Sequence, residues 1–391
     1  MKILYYSGFH PYWGAYSPDV LEREDCMIGG GEAAFLMTAA ALADRGHEVL
    51  ALHPGREGSW RGVQFRDRSC YEQVLLADQE WDAVVSWTDP RPLCSPAVPA
   101  GAARLLPQQL NDLAVGVDGV DAVISPSWTH AEFLKREYGV VDTKFYVCHS
   151  GVTCEYKQAF VWPRDPIVGY WSSPDRGLIH LLRVWPKVKK AVPKARLWVF
   201  YEIRKWLEMS RGAYGYRTPY QGWYTYQAEA VNRLLTDCAA FGVELFGAIP
   251  RKKLAKYQQL CRVWCYPLDN GAGMVEGFSV ATLEALAAGC WPITSPVDAL
   301  PEIYADAVCD WVLRGNVAEL EAKLIERLLH PPEQEAFLGK NLAVAAKYTW
   351  AKAGKQMEFA IKDTLRLKHN GSREMVWEAC EEANSLGATN A

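Results

Sequence analysis

Short apolar runs alternate with helix-forming stretches along nearly the whole chain, and this rhythm limits the fold more than any other feature of the sequence. Residues 2–7 read as a strand, residues 31–45 as a helix stopped by Gly46, and residues 47–52 as the next strand. Ala83–Ser86, Asp121–Ser125 and Tyr146–Cys148 continue the series. A second series opens near residue 166 with Ile167–Tyr170, Leu197–Phe200, Glu244–Phe246, Val263–Tyr266 and Trp291–Thr294. Strand–helix–strand units at this spacing predict parallel sheets covered by helices. Pro163 and Pro166 mark a linker over about 155–166. The 391 residues are therefore expected to form two doubly wound α/β domains, 1–158 and 159–345. A helix over about 350–367 is expected to pack back on the first, ahead of a polar tail at 368–391.

Composition narrows the function. Hydrophobic residues make up 50% and charged residues 23%, enough for two substantial cores. A net charge of −4 argues against a nucleic-acid binder, leaving nucleic acid only as an acceptor of some modification. The 11 cysteines are scattered, without metal-ligand spacing, and read as small buried residues in a reducing compartment. No run approaches the length of a membrane span and no signal peptide is visible, so a cytoplasmic location is expected, with peripheral membrane contact as an option. No catalytic metal and no cofactor are expected. Residues 201–226, rich in Tyr, Trp and Gly, are long for a connection; they read equally as an acceptor-binding lid or an aromatic-stapled insertion.

The segment with most chemical content is Val275–Gly289, in which Glu276 and Glu284 are separated by seven residues. Gly277 precedes a strong helix-forming run and Gly289 ends it. If helical throughout, the segment separates the two carboxylates by about 12 Å, near the distance from ribose to hexose in a nucleotide sugar. The amides of Phe278, Ser279 and Val280, at the helix start, suit an anion between them. The competing reading is an amphipathic helix with two solvated glutamates.

With its surroundings, this segment resembles the GT-B retaining glycosyltransferases of family four. Gly289–Ser295 and Leu300–Ile303 follow the E-x7-E element as in that family, and Glu244–Pro250 resembles the segment lying along the nucleotide base. The resemblance implies the GT-B architecture, two Rossmann-like domains facing across a cleft, with a UDP- or GDP-linked sugar as donor. It implies that Glu276 binds the transferred sugar near the reacting carbon, that Glu284 binds the ribose, and that the amides of residues 278–280 hold the diphosphate. Ser172–Leu178 resembles the cationic segment facing the diphosphate: Arg176 takes the place of its Lys, and Trp171 stands where the family has Arg. Gly29, Gly30 and Gly31, before the first helix, allow close approach of phosphate or sugar; Ser172, Pro250 and Gly277 complete the donor-binding set. Asn111 stands where the family often has a His near the sugar; it hydrogen-bonds but does not titrate, and with Glu276 and Arg176 it makes up the expected catalytic set. His149 reads as structural.

The implied chemistry is transfer with retention to an acceptor hydroxyl on a glycan, lipid-linked sugar, small molecule or modified polymer. Three other readings stay open: a glycosyltransferase-like binding subunit with weakened activity, a nucleotide-sugar epimerase, and a sugar phosphorylase. Local basic clusters (Lys187 to Arg196, Arg204-Lys205, Arg251–Lys253) read as solvated faces or as a site for an anionic acceptor.

Overall fold

The computed structural model describes residues 1–8, 14–78, 80–111, 116–152, 156, 161–213, 221–269 and 274–370. Two sheets organise them. The first holds β1 (Lys2–Ser7), β2 (Glu48–His53), β3 (Gly58–Trp60), β4 (Val63–Asp67), β5 (Ala83–Trp87), β6 (Ala103–Pro107), β7 (Ala122–Ser125) and β8 (Lys144–Val147). Their order is β3-β4-β2-β1-β5-β6-β7-β8, parallel throughout except for the β3–β4 hairpin. The second sheet holds β9 (Ile167–Tyr170), β10 (Arg196–Val199), β11 (Val243–Leu245), β12 (Val263–Tyr266), β13 (Trp291–Thr294) and β14 (Asp310–Trp311), all parallel, in the order β11-β10-β9-β12-β13-β14.

The strands read in the sequence are present, and β3, β4, β6 and β14 are added. Strands such as β7, β9 and β12 are buried along their whole length, which is why they read as unbroken apolar runs. Pro292 is tolerated within β13 because pairing to β14 starts only at Ile293, opposite Asp310.

Helices cover both faces of each sheet. In the first half these are α1 (Gly30–Ala43), α2 (Tyr71–Ala77) and α3 (Trp128–Tyr138). The second half has α4 (Leu178–Ala191), α5 (Ile203–Ser210), α6 (Gln221–Cys238), α7 (Arg251–Gln258), α8 (Val280–Ala287), α9 (Leu300–Tyr304), α10 (Val317–Leu329) and α11 (Leu338–Ala346). Helix α12 (Trp350–Asn370) then returns to the first sheet, where Met357 and Ile361 pack with Phe35 and Leu36 of α1. The approach is close: a Cβ on Gly354 would lie 2.7 Å from Ala41 Cβ and 2.9 Å from its carbonyl oxygen. Residues 155 and 157–160 of the proposed linker and the tail beyond Asn370 lie outside the described residues.

Residues 201–226 are not one long connection. Helix α5 and the start of α6 occupy the described part, and residues 214–220 lie outside it. Trp206 and Tyr224 meet edge to face in the core of the second half, with ring centroids 5.7 Å apart, so burial explains these two aromatics. Tyr226 is exposed.

The two halves touch through specific bonds. Glu302 of α9 reaches the open end of α3, accepting from the amides of Trp128 (2.9 Å) and Thr129 (2.8 Å) and from the Thr129 hydroxyl (2.7 Å). Lys256 of α7 lies 3.6 Å from Glu24. No helix among the described residues is long and apolar enough to cross a membrane, and every described cysteine is free.

Candidate functional site

Both strand orders change direction, at β1 in the first sheet and at β9 in the second. In doubly wound sheets a crevice forms at such points, beyond the carboxyl ends of the strands. A cavity of about 380 Å³ lies there. One wall is Met27–Gly31, with Gln109, Pro126 and Ser150; the other includes Trp171–Ser173, Phe200, Tyr201, Ala248, Ile249, Arg251, Glu276–Ala281 and Glu284.

The E-x7-E element is not helical throughout. Helix α8 begins at Val280, four residues after Glu276, with Ser279 as N-cap in the left-handed region (φ 61°, ψ 75°). A non-glycine residue there stores backbone strain of about 1 kcal/mol or more. The estimate of 12 Å from eight helical residues therefore does not apply. Glu276 instead folds back over the helix start: its Oε1 accepts from the amide of Ser279 at 2.9 Å and from that of Phe278 at 3.4 Å. The amides expected to hold a diphosphate thus hold an oxyanion of the chain itself. The other oxygen, Oε2, accepts from the Tyr266 hydroxyl at 2.6 Å. The Glu276 amide donates to Asp298 at 2.9 Å, and the Ser279 side chain accepts from the Thr282 amide.

Glu284 lies inside α8, its side chain 4% exposed. Its Oε1 accepts from Arg251 Nη1 at 2.6 Å and its Oε2 from Gln258 Nε2 at 3.1 Å. Each carboxylate oxygen has a further lone pair for a ligand hydroxyl. Pro250 is absent from the cavity wall; it is the N-cap of α7 and sets the position of Arg251, which does line the cavity.

Arg176 lies just before α4, outside the cavity wall, with its Nε 3.4 Å from Asp175. Burial works against its charge, but Glu276 and Asp175 outweigh that and raise its pKa. Trp171 does line the cavity, its indole donating to the Ala281 carbonyl at 3.2 Å. Asn111 is not on the wall. Its Nδ2 donates across the cleft to the Val275 carbonyl at 3.0 Å, next to Glu276 in the chain, and its Oδ1 is buried without a hydrogen-bond partner.

Gly277 must be small. A Cβ there would lie 2.8 Å from Pro126 and 3.4 Å from His130, both of the first half. His130 is fully buried, and burial pushes its imidazole down to about 4, against the pull of Glu276. The His149 imidazole is likewise held at about 4 by burial, between the rings of Phe278 and Tyr348 and bonded to Gln356.

The residues that sequence reasoning missed are Arg251, Gln258, Tyr266 and His130. Tyr266, at the carboxyl end of β12, carried a positional signal; Arg251 was hidden in a basic cluster. Part of that basic character is paired locally: Lys187 lies beside Glu321, Arg204 beside Glu208 and Arg196 beside Glu244. No group of three or more His, Cys, Asp or Glu among the described residues is placed to hold a metal ion.

Comparison with known proteins agrees with this architecture. Residues 222–343 match the family model described as glycosyl transferases group 1. No curated protein matches the chain. Among solved structures, it is similar to AviGT4, a glycosyltransferase involved in avilamycin A biosynthesis, at 14% identity over 95% of this chain and 99% of that one (TM-score 0.65). Sucrose-phosphate synthase from Thermosynechococcus elongatus is similar at 16% identity over 94% and 99% (TM-score 0.66). Anabaena HepE, solved in complex with UDP and glucose, is similar at 15% identity over 93% and 100% (TM-score 0.61). The fold is GT-B, two Rossmann-like domains facing across a cleft.

Proposed function

We propose that this protein is a retaining glycosyltransferase, moving a hexose-type sugar from a UDP- or GDP-linked donor to an acceptor hydroxyl. The observation that carries the reading is one cavity in which Glu276 and Glu284 flank the start of α8, opposite Gly29–Gly31, which form the N-cap and first residues of α1 rather than a loop before it. The match over residues 222–343 spans Arg251, Glu276 and Glu284 and supports it.

In this reading the donor lies along the wall of the second domain. Glu284 takes the ribose hydroxyls. The diphosphate takes the Phe278 and Ser279 amides, an oxyanion site that the Glu276 carboxylate fills in its absence. Glu276, displaced from those amides, turns to the hydroxyls of the sugar. Gly29–Gly31 bring the amino end of α1 close to the other side of the donor.

The bond from the anomeric carbon to the diphosphate breaks, and its electron pair goes to the phosphate oxygen. The acceptor oxygen bonds to the same face of the carbon, and its proton passes to that phosphate oxygen. Charge grows on the diphosphate as this happens. The helix start and the positive field of Arg176 stabilise it, and their fixed position is the main catalytic contribution. Closure of the two domains excludes water.

The test needs no acceptor. Slow hydrolysis of UDP-glucose and GDP-mannose is followed by proton NMR. An early product with the donor's anomeric configuration, at a rate lowered at least tenfold by Glu276→Gln, supports the reading. An inverted product, or equal rates, contradicts it.

A further inference from the structure

The nucleotide side of the cavity contains a contact between domains that the reading above does not use. Arg251 is the first residue of α7, and its side chain is 16% exposed. One edge of its guanidinium holds Glu284 at 2.6 Å. The other edge, Nη2, faces the opposite wall, 3.8 Å from where a Cβ on Gly30 would stand. Behind Gly30, in the first turn of α1, lies Glu32, a carboxylate 8% exposed and within the electrostatic reach of Arg251. Farther along α7, Lys256 makes the bridge to Glu24. One helix of the second domain thus presents two cations to residues 24–32 of the first.

We propose that Arg251 is a positioning residue that couples nucleotide binding to the meeting of the two domains, holding the ribose-side Glu284 and attracting Glu32 across the cleft. The proposal rests on the donor-site reading above and adds a residue and a control to it. A ligand that engages Glu284 draws on the same carboxylate as Arg251, so binding and the cross-cleft attraction depend on each other. A ligand hydroxyl that takes up part of the Glu284 carboxylate leaves more of the Arg251 charge to face Glu32, and by reciprocity a stronger attraction to Glu32 strengthens binding.

The charge on Glu32 sets that strength. Burial raises its carboxyl to about 7, against its own amide, the Arg251 charge and the Gly29 amide. The groups facing it are Tyr16, from the segment before α1; Arg251, from α7; and, through Arg251, Glu284 of α8. Below about pH 7 Glu32 is neutral and draws Arg251 weakly; above it the full charge of Glu32 acts on Arg251. Nucleotide affinity therefore rises with pH through this range, by way of Glu32.

The experiment is calorimetric titration of UDP and GDP into the full-length wild type, Arg251→Ala, Arg251→Lys and Glu32→Gln, at pH 6.0 and pH 8.5. Ionisation of the nucleotide phosphate affects all four proteins alike, so the ratio of variant to wild type is the readout. The expected result is about tenfold weaker binding for Arg251→Ala at pH 8.5, with partial recovery in Arg251→Lys. Glu32→Gln should match the wild type at pH 6.0 and bind about threefold or more weakly at pH 8.5. A Glu32→Gln ratio that is the same at both pH values, or Arg251→Ala binding as tightly as the wild type, overturns the proposal. If Arg251→Ala does not fold, the Glu32→Gln ratio decides alone. Failure of both nucleotides to bind the wild type would overturn the donor-site reading itself, a result distinct from equal binding by wild type and variants.

Discussion

The Tyr266 hydroxyl donates to Glu276 Oε2 at 2.6 Å, from the end of β12 to the loop that precedes α8. Burial, with the Glu276 carboxylate next in effect, holds the phenol well above its usual range, so it stays a donor. Tyr266 thereby fixes the direction of the carboxylate read as binding the transferred sugar. Tyr266→Phe should lower kcat by about tenfold or more, the value of a hydrogen bond to a charged group, and leave nucleotide affinity near wild type. Steady-state kinetics with a separate nucleotide titration checks this; a change in affinity alone would contradict it.

Glu302 caps α3 from the other domain through three hydrogen bonds. Glu302→Ala should loosen the contact, lowering unfolding free energy by about 1 kcal/mol and enlarging the radius of gyration in solution scattering. If neither the urea midpoint nor the radius changes, the cap does not hold the domains.

Gly354 sits where α12 crosses α1, with no room for a methyl group against Ala41. Gly354→Ala should destabilise the protein by about 1–3 kcal/mol through overpacking, measured by urea unfolding. Nucleotide affinity per folded molecule should stay the same, because the contact lies away from the cavity.

His130 is buried and His149 half-buried, and both are held at about 4, below the usual histidine range. A depressed histidine contributes stability that is fully present above its unfolded pKa, near 6.5, and lost as pH falls toward the folded value. Between about pH 6.5 and pH 4 each should remove up to roughly 3 kcal/mol. Unfolding measured across that window should show the decline, and His130→Gln with His149→Gln should flatten it. An equal slope in the double variant would contradict this account.

The doubly wound plan was legible because fully buried parallel strands leave apolar runs between helices. The Glu276–Glu284 element was legible for its spacing, yet the geometry inferred from that spacing was not the one adopted. Ser279 takes a left-handed conformation and Glu276 caps its own helix, and neither follows from spacing. The bond from Asn111 Nδ2 to the Val275 carbonyl, across the cleft, does not follow from the sequence either. Arg251 was a further case, a cation in a surface-like cluster that only tertiary packing brings beside Glu284 and Gly30. Periodicity reports which residues are buried; it carries no information on which side chains meet across a cleft.

The central claim is that the cavity at the start of α8 binds a nucleoside diphosphate through Glu284. The most direct test is the melting temperature of wild type and Glu284→Ala with UDP, GDP, ADP, CDP and dTDP. At about 100 times its dissociation constant, a bound nucleotide should stabilise the wild type by about 2.7 kcal/mol. The account predicts that one nucleotide raises the wild-type melting temperature and that Glu284→Ala abolishes the rise. No rise with any of the five, or an equal rise in the variant, would contradict it.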